Sequence, residues 1–175
     1  MILTTGCSFT YGDELLDREN EAWPFVLGKL TDYEVDNFGV PAADNEFIMY
    51  MTMKQILENP YKHDYAVIQW TTYIRGQENV SDETAFTKWV YQVIGLQAFL
   101  DRYGVEYLMF NGFDNEDHIE EYAFDVYSNI DTSRFIGWPS ESMVTWAYGT
   151  DNMPKGHPGP EGHKRVAEQL WQYLG

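Results

Sequence analysis

The sequence has a single cysteine, Cys7, in 175 residues, and no Cys-x-x-Cys pair or Cys/His cluster at zinc spacing. That excludes an internal disulfide framework and a zinc-finger scaffold. Positive charge is also scarce: 11 Lys and Arg against 28 Asp and Glu leave a formal charge of −17. A surface that acidic repels phosphate backbones and anionic headgroups over a screening length of ~8–10 Å, so neither nucleic acid nor a membrane surface is expected as a partner. No apolar run approaches the ~20 residues of a membrane span. The start, Met1-Ile2-Leu3-Thr4-Thr5-Gly6, lacks the basic segment and long apolar stretch of a secretory signal, so a cytoplasmic location is the expectation. Linkers, charge blocks and internal repeats are missing too, and residues 1–175 read as one domain. Aromatic residues, by contrast, make up 17% of the chain, more than a disordered sequence would carry.

What is present is an alternation of short apolar runs with segments of helical period. Strands are predicted at Met1–Thr5, Tyr33–Phe38, Tyr65–Thr71 and Val105–Phe110. Phe86, Trp89, Val90, Val93, Ile94, Leu96 and Leu100 recur at three- and four-residue spacing and predict a helix over Thr84–Tyr103, with Gly104 placed to end it. Further helices are expected over Asp44–Leu57 and from Pro160 to the C-terminus, where Val166, Ala167, Leu170, Trp171 and Leu174 form one stripe. Between residues 114 and 150 the periodicity is weak, and a short helix with a long loop is expected. The pattern implies βαβ units and a three-layer α/β/α sandwich with a mostly parallel sheet. In such sheets ligands bind beyond the carboxyl ends of the strands, so the residues just after each strand carry the candidate chemistry.

After the first strand comes Gly6-Cys7-Ser8-Phe9-Thr10-Tyr11-Gly12. A serine in a glycine-bracketed turn at a strand's carboxyl end is exposed, fixed and beside free backbone N–H groups, as a nucleophile requires, although such turns are also common as plain connections. Serine is weak at neutral pH without a base, and histidine is the usual one. One stands just ahead of the last helix, His157 in Gly156-His157-Pro158-Gly159-Pro160. His163 falls inside that helix and reads as a packing or surface residue, and His63 and His118 read as solvent-facing. Arg75, just after the third strand, suits a ligand carboxylate or sugar oxygen, or equally an ion pair with one of the many acids. Trp70, Tyr73, Trp138 and Trp146 suit either a cleft lining or the core. The acids from Asp114 to Asp117 lack calcium-loop spacing, and no metal or other cofactor is expected.

Taken together these segments resemble the SGNH, or GDSL-like, hydrolases. Gly6-Cys7-Ser8-Phe9-Thr10 is similar to the family's first block. Asn37-Phe38-Gly39-Val40-Pro41-Ala42 is similar to the second, Ile68–Arg75 falls on the third, and His157-Pro158 looks like the last. The match runs in order over almost the whole chain. The resemblance implies a flavodoxin-like fold, Ser8 as nucleophile, His157 as general base, and an oxyanion hole from the Ser8 N–H with groups of the second and third blocks.

The departures are specific. Cys7 replaces the family's aspartate and becomes a rival nucleophile or a buried inert thiol. Ala42 stands at the oxyanion glycine and Thr71 at the oxyanion asparagine, with Asn45 near enough in sequence to supply an amide instead. The aspartate three residues before the histidine is replaced by Pro154, which can orient nothing, so Asp151, a backbone carbonyl, or a bare Ser-His dyad must serve. The expectation is a serine esterase acting on a small or carbohydrate-linked acyl ester through a Ser8 acyl-enzyme. The alternative is a non-catalytic binding or assembly module on the same fold, and the oligomeric state cannot be read from the sequence.

Overall fold

The computed structural model describes residues 1–115, 124–148 and 156–174. Five strands, β1 (Ile2–Gly6), β2 (Val35–Gly39), β3 (Tyr65–Trp70), β4 (Glu106–Asn111) and the short β5 (Phe135–Ile136), form one sheet in the order β2-β1-β3-β4-β5. Every pairing is parallel. The strand order turns back on itself between β1 and β3, the kind of switch point beyond whose carboxyl ends open α/β sheets bind ligands. The central strands are buried along their length, β1 completely and β3 from Ala66 onward, as a parallel sheet covered on both faces demands.

The helices are α1 (Ser8–Tyr11), α2 (Arg18–Glu21), α3 (Trp23–Thr31), α4 (Asn45–Glu58), α5 (Asp82–Tyr103), α6 (Phe124–Tyr127), α7 (Met143–Tyr148) and α8 (Pro160–Trp171). In one layer α4 and α5 pack together over β1, β3 and β4; in the other α8 packs between α3 and α7. The apolar stripe read from the sequence is the buried face of α5, with Phe86, Trp89, Val93, Leu96 and Leu100 all in the core. Ser81 caps its N-terminus by accepting from the Thr84 N–H, and Gly104 ends it at φ 65°. Asp44 caps α4 in the same manner, accepting from Phe47 N–H at 2.8 Å. No helix among the described residues is long and apolar enough to cross a membrane.

Several local readings change. The predicted second strand begins two residues late, because Asp32 adopts φ 58° and the Tyr33 N–H bonds back to Gly28 O, ending α3 where a strand start is expected. The turn after β1 is one short helix. Helices α2 and α3 escape a periodicity reading because they span four and nine residues. The stretch from residue 124 carries two short helices, a 3₁₀ turn and β5, which is more structure than one helix and a loop. His63 is not solvent-facing: it is buried with Nε2 2.8 Å from Asp36 Oδ2, and Lys62 pairs with the same carboxylate. Partial burial works to raise the Asp36 pKa, yet Lys62 and His63 together hold it below its ordinary value. His118 lies outside the described residues.

His163 is a packing residue, fully buried, and its Nδ1 accepts the Trp23 N–H at 3.1 Å. Pro24 sits in the first turn of α3, so the imidazole occupies one of the donors that a helix start leaves open. Burial, with a smaller push from His157, lowers the His163 pKa to about 4. The unfolded chain then takes up a proton near pH 6.5 that the folded chain refuses until about 4. Stability from this group is complete above pH 6.5 and is lost as pH falls towards 4, by up to about 3 kcal/mol. Urea unfolding at pH 7.5, 5.5 and 4.5 is expected to show that decline. His163→Gln, which keeps an acceptor for Trp23 but does not titrate, is expected to flatten it over this window.

Candidate active site

At the end of β1 the chain turns sharply into α1, with Cys7 extended as N-cap and Ser8 as the first helical residue. The first i→i−4 bond of α1 is Tyr11 N–H to Cys7 O, so the Ser8 N–H receives no acceptor from its own helix. Beneath this turn lies the buried carboxamide of Gln69, on β3. Its Oε1 accepts from Thr10 Oγ1 at 2.8 Å, and its Nε2 donates to Trp70 O at 3.1 Å and touches Cys7 Sγ at 3.4 Å. Two glycines make room for it. A Cβ on Gly112, just past β4, would lie 2.0 Å from Gln69 Nε2, and one on Gly6 would lie 2.1 Å from Thr10 Oγ1 and 2.9 Å from Gln69 Oε1. Cys7 is buried beside this amide, in the setting of an inert packed thiol.

The loop after β2 closes beside the same turn. Val40 N–H donates to Gly6 O at 3.0 Å, and Ala43 N–H donates back to Val40 O at 3.1 Å. Pro41 and Ala42 occupy the middle of that turn with Ala42 at φ 63°, the type II pattern that favours glycine in the third position. Ala42 is exposed, and its N–H has no acceptor among the described residues. The third-block residues follow β3. Asn45 is buried and fully engaged: its Oδ1 accepts from Thr71 N–H at 2.9 Å and its Nδ2 donates to Thr71 O at 3.2 Å and Thr72 O at 3.4 Å. It clamps the loop after β3 to the start of α4. The Thr71 hydroxyl is buried and has no hydrogen-bond partner among the described residues. A buried orphan hydroxyl carries an unmet desolvation cost, which marks it for a ligand or a water.

His157, 149 positions from Ser8, arrives at the same end of the sheet. Its ring meets Phe9, the neighbour of Ser8, edge-on at a centroid distance of 5.5 Å. No hydrogen bond joins Ser8 to His157 among the described residues; the contact made by Ser8 Oγ is with Cys7 Sγ at 4.0 Å. Two carboxylates from the loop after α1 bracket the imidazole, Glu14 Oε1 at 3.3 Å from Nδ1 and Asp13 Oδ2 at 4.0 Å from Nε2. Motif spacing missed both, because they follow Ser8 in the chain rather than preceding the histidine. Asp151 lies outside the described residues. Phe9 stacks on Phe113 at 4.8 Å, and the Arg75 guanidinium lies over the Phe113 ring at 5.7 Å. Arg75 forms no ion pair among the described residues, although the chain carries 28 acids. Trp70 and Tyr73 belong to the core, while Trp138, stacked on Trp89 at 5.7 Å, and Trp146, against Phe110, are partly buried and pack on it. Among the described residues no group of three or more His, Cys, Asp or Glu side chains is arranged to hold a metal.

No family model and no curated protein matches the sequence. Solved structures do. A protein assigned to the G-D-S-L lipolytic family from Desulfitobacterium hafniense superposes with a TM-score of 0.69 at 18% identity, over 99% of this chain and 98% of that one. One assigned to the SGNH hydrolases from Slackia heliotrinireducens gives 0.62 at 15% identity, over 99% and 98%. A catalytic mutant of the acetylxylan esterase Axe2 from Geobacillus stearothermophilus gives 0.62 at 13%, over 99% and 93%. The chain is similar to all three in fold from end to end.

Holding an alanine in the left-handed region costs about 1 kcal/mol, part of which glycine returns as unfolded-state entropy. Ala42→Gly is therefore expected to stabilise the protein by ~0.5 kcal/mol, read as a raised urea midpoint at constant slope. An unchanged or lowered midpoint would contradict a strained turn.

Proposed function

We propose that this chain, built on the fold shared with the SGNH and G-D-S-L hydrolases, is a serine esterase that cleaves a small or carbohydrate-linked acyl ester. The observation that carries this reading is the arrival of His157, from the far end of the chain, against Phe9 beside Ser8 at the carboxyl end of β1. Support also comes from the esterases among its structural neighbours, one of them named for acetylxylan.

In this mechanism Ser8 Oγ attacks the ester carbonyl while His157 takes its proton. The negative charge then developing on the carbonyl oxygen meets the Ser8 N–H, the Ala42 N–H and the Thr71 hydroxyl, three donors that the fold leaves unengaged. Collapse of the tetrahedral intermediate breaks the ester C–O bond. The alcohol leaves with the proton from His157, and the acyl group stays on Ser8 until a water, deprotonated by the same imidazole, releases the acid. Asn45 serves by fixing the loop that carries Thr71 rather than by donating to the oxyanion. Arg75, on the Phe113 face, is placed to meet a carboxylate or sugar oxygen on the substrate. Asp151 stays a candidate orienting group for the histidine. Apo active sites often show loose catalytic contacts that tighten with substrate, which accommodates the missing Ser8–His157 bond. That same gap, with threonine at the oxyanion asparagine, favours the second reading, a non-catalytic module that binds an acylated ligand.

The test is hydrolysis of chromogenic short-chain esters. Wild type is expected to turn over and Ser8→Ala to lose activity by at least ~10³-fold. Thr71→Val, which removes the donor and keeps the shape, is expected to lower kcat by ~10². Cys7→Ala is expected to remain active, because the thiol, although 4.0 Å from Ser8 Oγ, is fully buried against the Gln69 amide and is not presented to a substrate. Activity that survives Ser8→Ala and vanishes in Cys7→Ala would overturn the nucleophile, and no turnover of any ester by wild type would favour the binding module.

A further inference from the structure

Pro154 stands where the resemblance places an orienting carboxylate, so the histidine needs another anion or none. Glu14 reaches it with both oxygens. Its Oε2 accepts the His157 backbone N–H at 3.2 Å, while its Oε1 lies 3.3 Å from Nδ1. One carboxylate thus holds both the main chain and the ring of the same residue. The Nδ1 contact is close without being a linear hydrogen bond, and Nδ1 is otherwise buried and unpartnered. Two backbone features permit the approach. Glu14 itself is at φ 66°, a conformation that strains a non-glycine residue and that concentrates at functional sites. Gly156 is at φ 135°, and a Cβ there would lie 2.8 Å from Glu14 Oε2. Both ends of the contact therefore depend on unusual backbone.

We propose that Glu14 is the positioning carboxylate of the site, holding the His157 ring so that Nδ1 keeps its proton and Nε2 is free to accept the one from Ser8. This rests on the esterase reading. The carboxylate that the family resemblance places on the histidine loop comes here from the loop after α1, six residues beyond the nucleophile. The other groups facing the ring are Asp13, 4.0 Å from Nε2, the Phe9 edge, and buried His163, whose proton affinity His157 lowers. Tyr148 completes the surroundings, with its hydroxyl 3.5 Å from Gly156 O. Asp13 approaches the nitrogen that must stay open, so it does not fit the orienting role. The Glu14 pKa lies below its ordinary value, first through the His157 backbone N–H and then through its side chain, so the group is anionic at neutral pH.

The experiment compares full-length wild type, Glu14→Gln, Glu14→Asp and Glu19→Gln, the last an exposed acid on the adjacent α2. Turnover of the chromogenic ester is measured from pH 5 to 9, and the imidazole of His157 is titrated by NMR, its signal assigned by loss in His157→Gln. Glu14→Gln is expected to lower kcat between ~10- and ~10⁴-fold with KM little changed, because only the tautomer and orientation of the base are lost. The His157 titration is expected to move to lower pH, because an anion that stabilises the imidazolium has gone. Glu14→Asp, which keeps the charge on a shorter arm, is expected to recover part of both, and Glu19→Gln neither. A Glu14→Gln protein with wild-type turnover and an unmoved His157 titration overturns the proposal. If wild type hydrolyses no ester, the esterase reading falls, and the titration alone still decides whether Glu14 holds the imidazole.

Discussion

The buried carboxamide of Gln69 is the contact around which the carboxyl edge of the sheet is built. From β3 it reaches the hydroxyl of Thr10 on α1, the carbonyl of its neighbour Trp70 and the sulfur of Cys7, so the turn that presents Ser8 is fixed from below. A primary amide suits this position because it supplies both donors and acceptors, and a buried polar group left unmatched would cost about 1–3 kcal/mol. Its presence dictates the residues around it. Gly6 and Gly112 lie so close to the amide that any side chain would collide, and Thr10 must carry a hydroxyl to satisfy the carbonyl oxygen. Asn37 adds a second brace from β2, donating to Thr10 O at 2.9 Å while its own carbonyl accepts from Gly39 N–H at 2.9 Å. The Cys7–Tyr11 turn is thereby held by β1, β2 and β3 together, through hydrogen bonds as well as the core packing of Cys7 and Phe9.

Around that rigid base the functional loops are made from uncommon backbone. Ala42 and Glu14 are both non-glycine residues at positive φ, and they stand on opposite flanks of Ser8 in the chain's fold, one after β2 and one after α1. Conformations of this kind persist only where the surroundings enforce them. For Ala42 the enforcement is the Val40–Ala43 turn tied to Gly6 O, and for Glu14 it is the two-point contact with His157. The asparagine clamp between Asn45 and the Thr71–Thr72 backbone does the same for the third loop, and leaves the Thr71 hydroxyl as a donor with nothing to bond. The scaffold thus maintains donors that no described residue engages.

The two buried histidines show how far identical chemistry depends on its surroundings. His63 sits at the amino side of β3 against Asp36 and Lys62, in a charged cluster that ties β2 to the segment leading into β3. His163 lies between α3 and α8 with an amide proton on one nitrogen, and burial makes it a permanently neutral acceptor at physiological pH. Among the described histidines, only His157 combines partial exposure with flanking carboxylates at the carboxyl edge of the sheet.

The α/β alternation could be read from residue order alone, because burial on both faces of a parallel sheet forces continuous apolar strands, and a helix over such a sheet must show a 3.6-residue stripe. The four long strands and the helices α4, α5 and α8 were legible on those grounds, as was the order of the motif residues Ser8, Ala42, Thr71 and His157. Helices of nine residues or fewer and a two-residue strand were not, since one or two turns carry too little periodicity to separate from a loop, which is why α2, α3 and β5 came only from the fold. The surroundings of side chains were equally out of reach. Asn45 and Thr71 could not be told apart as donors until the amide was found bonded to the loop backbone, and His63 looked exposed because the acid that buries it lies 27 positions away on another strand. Glu14 was invisible for the same reason: a motif records spacing along the chain, whereas a carboxylate acts through space, and only the closing of α8 and its preceding loop over α1 brings residue 157 to residue 14.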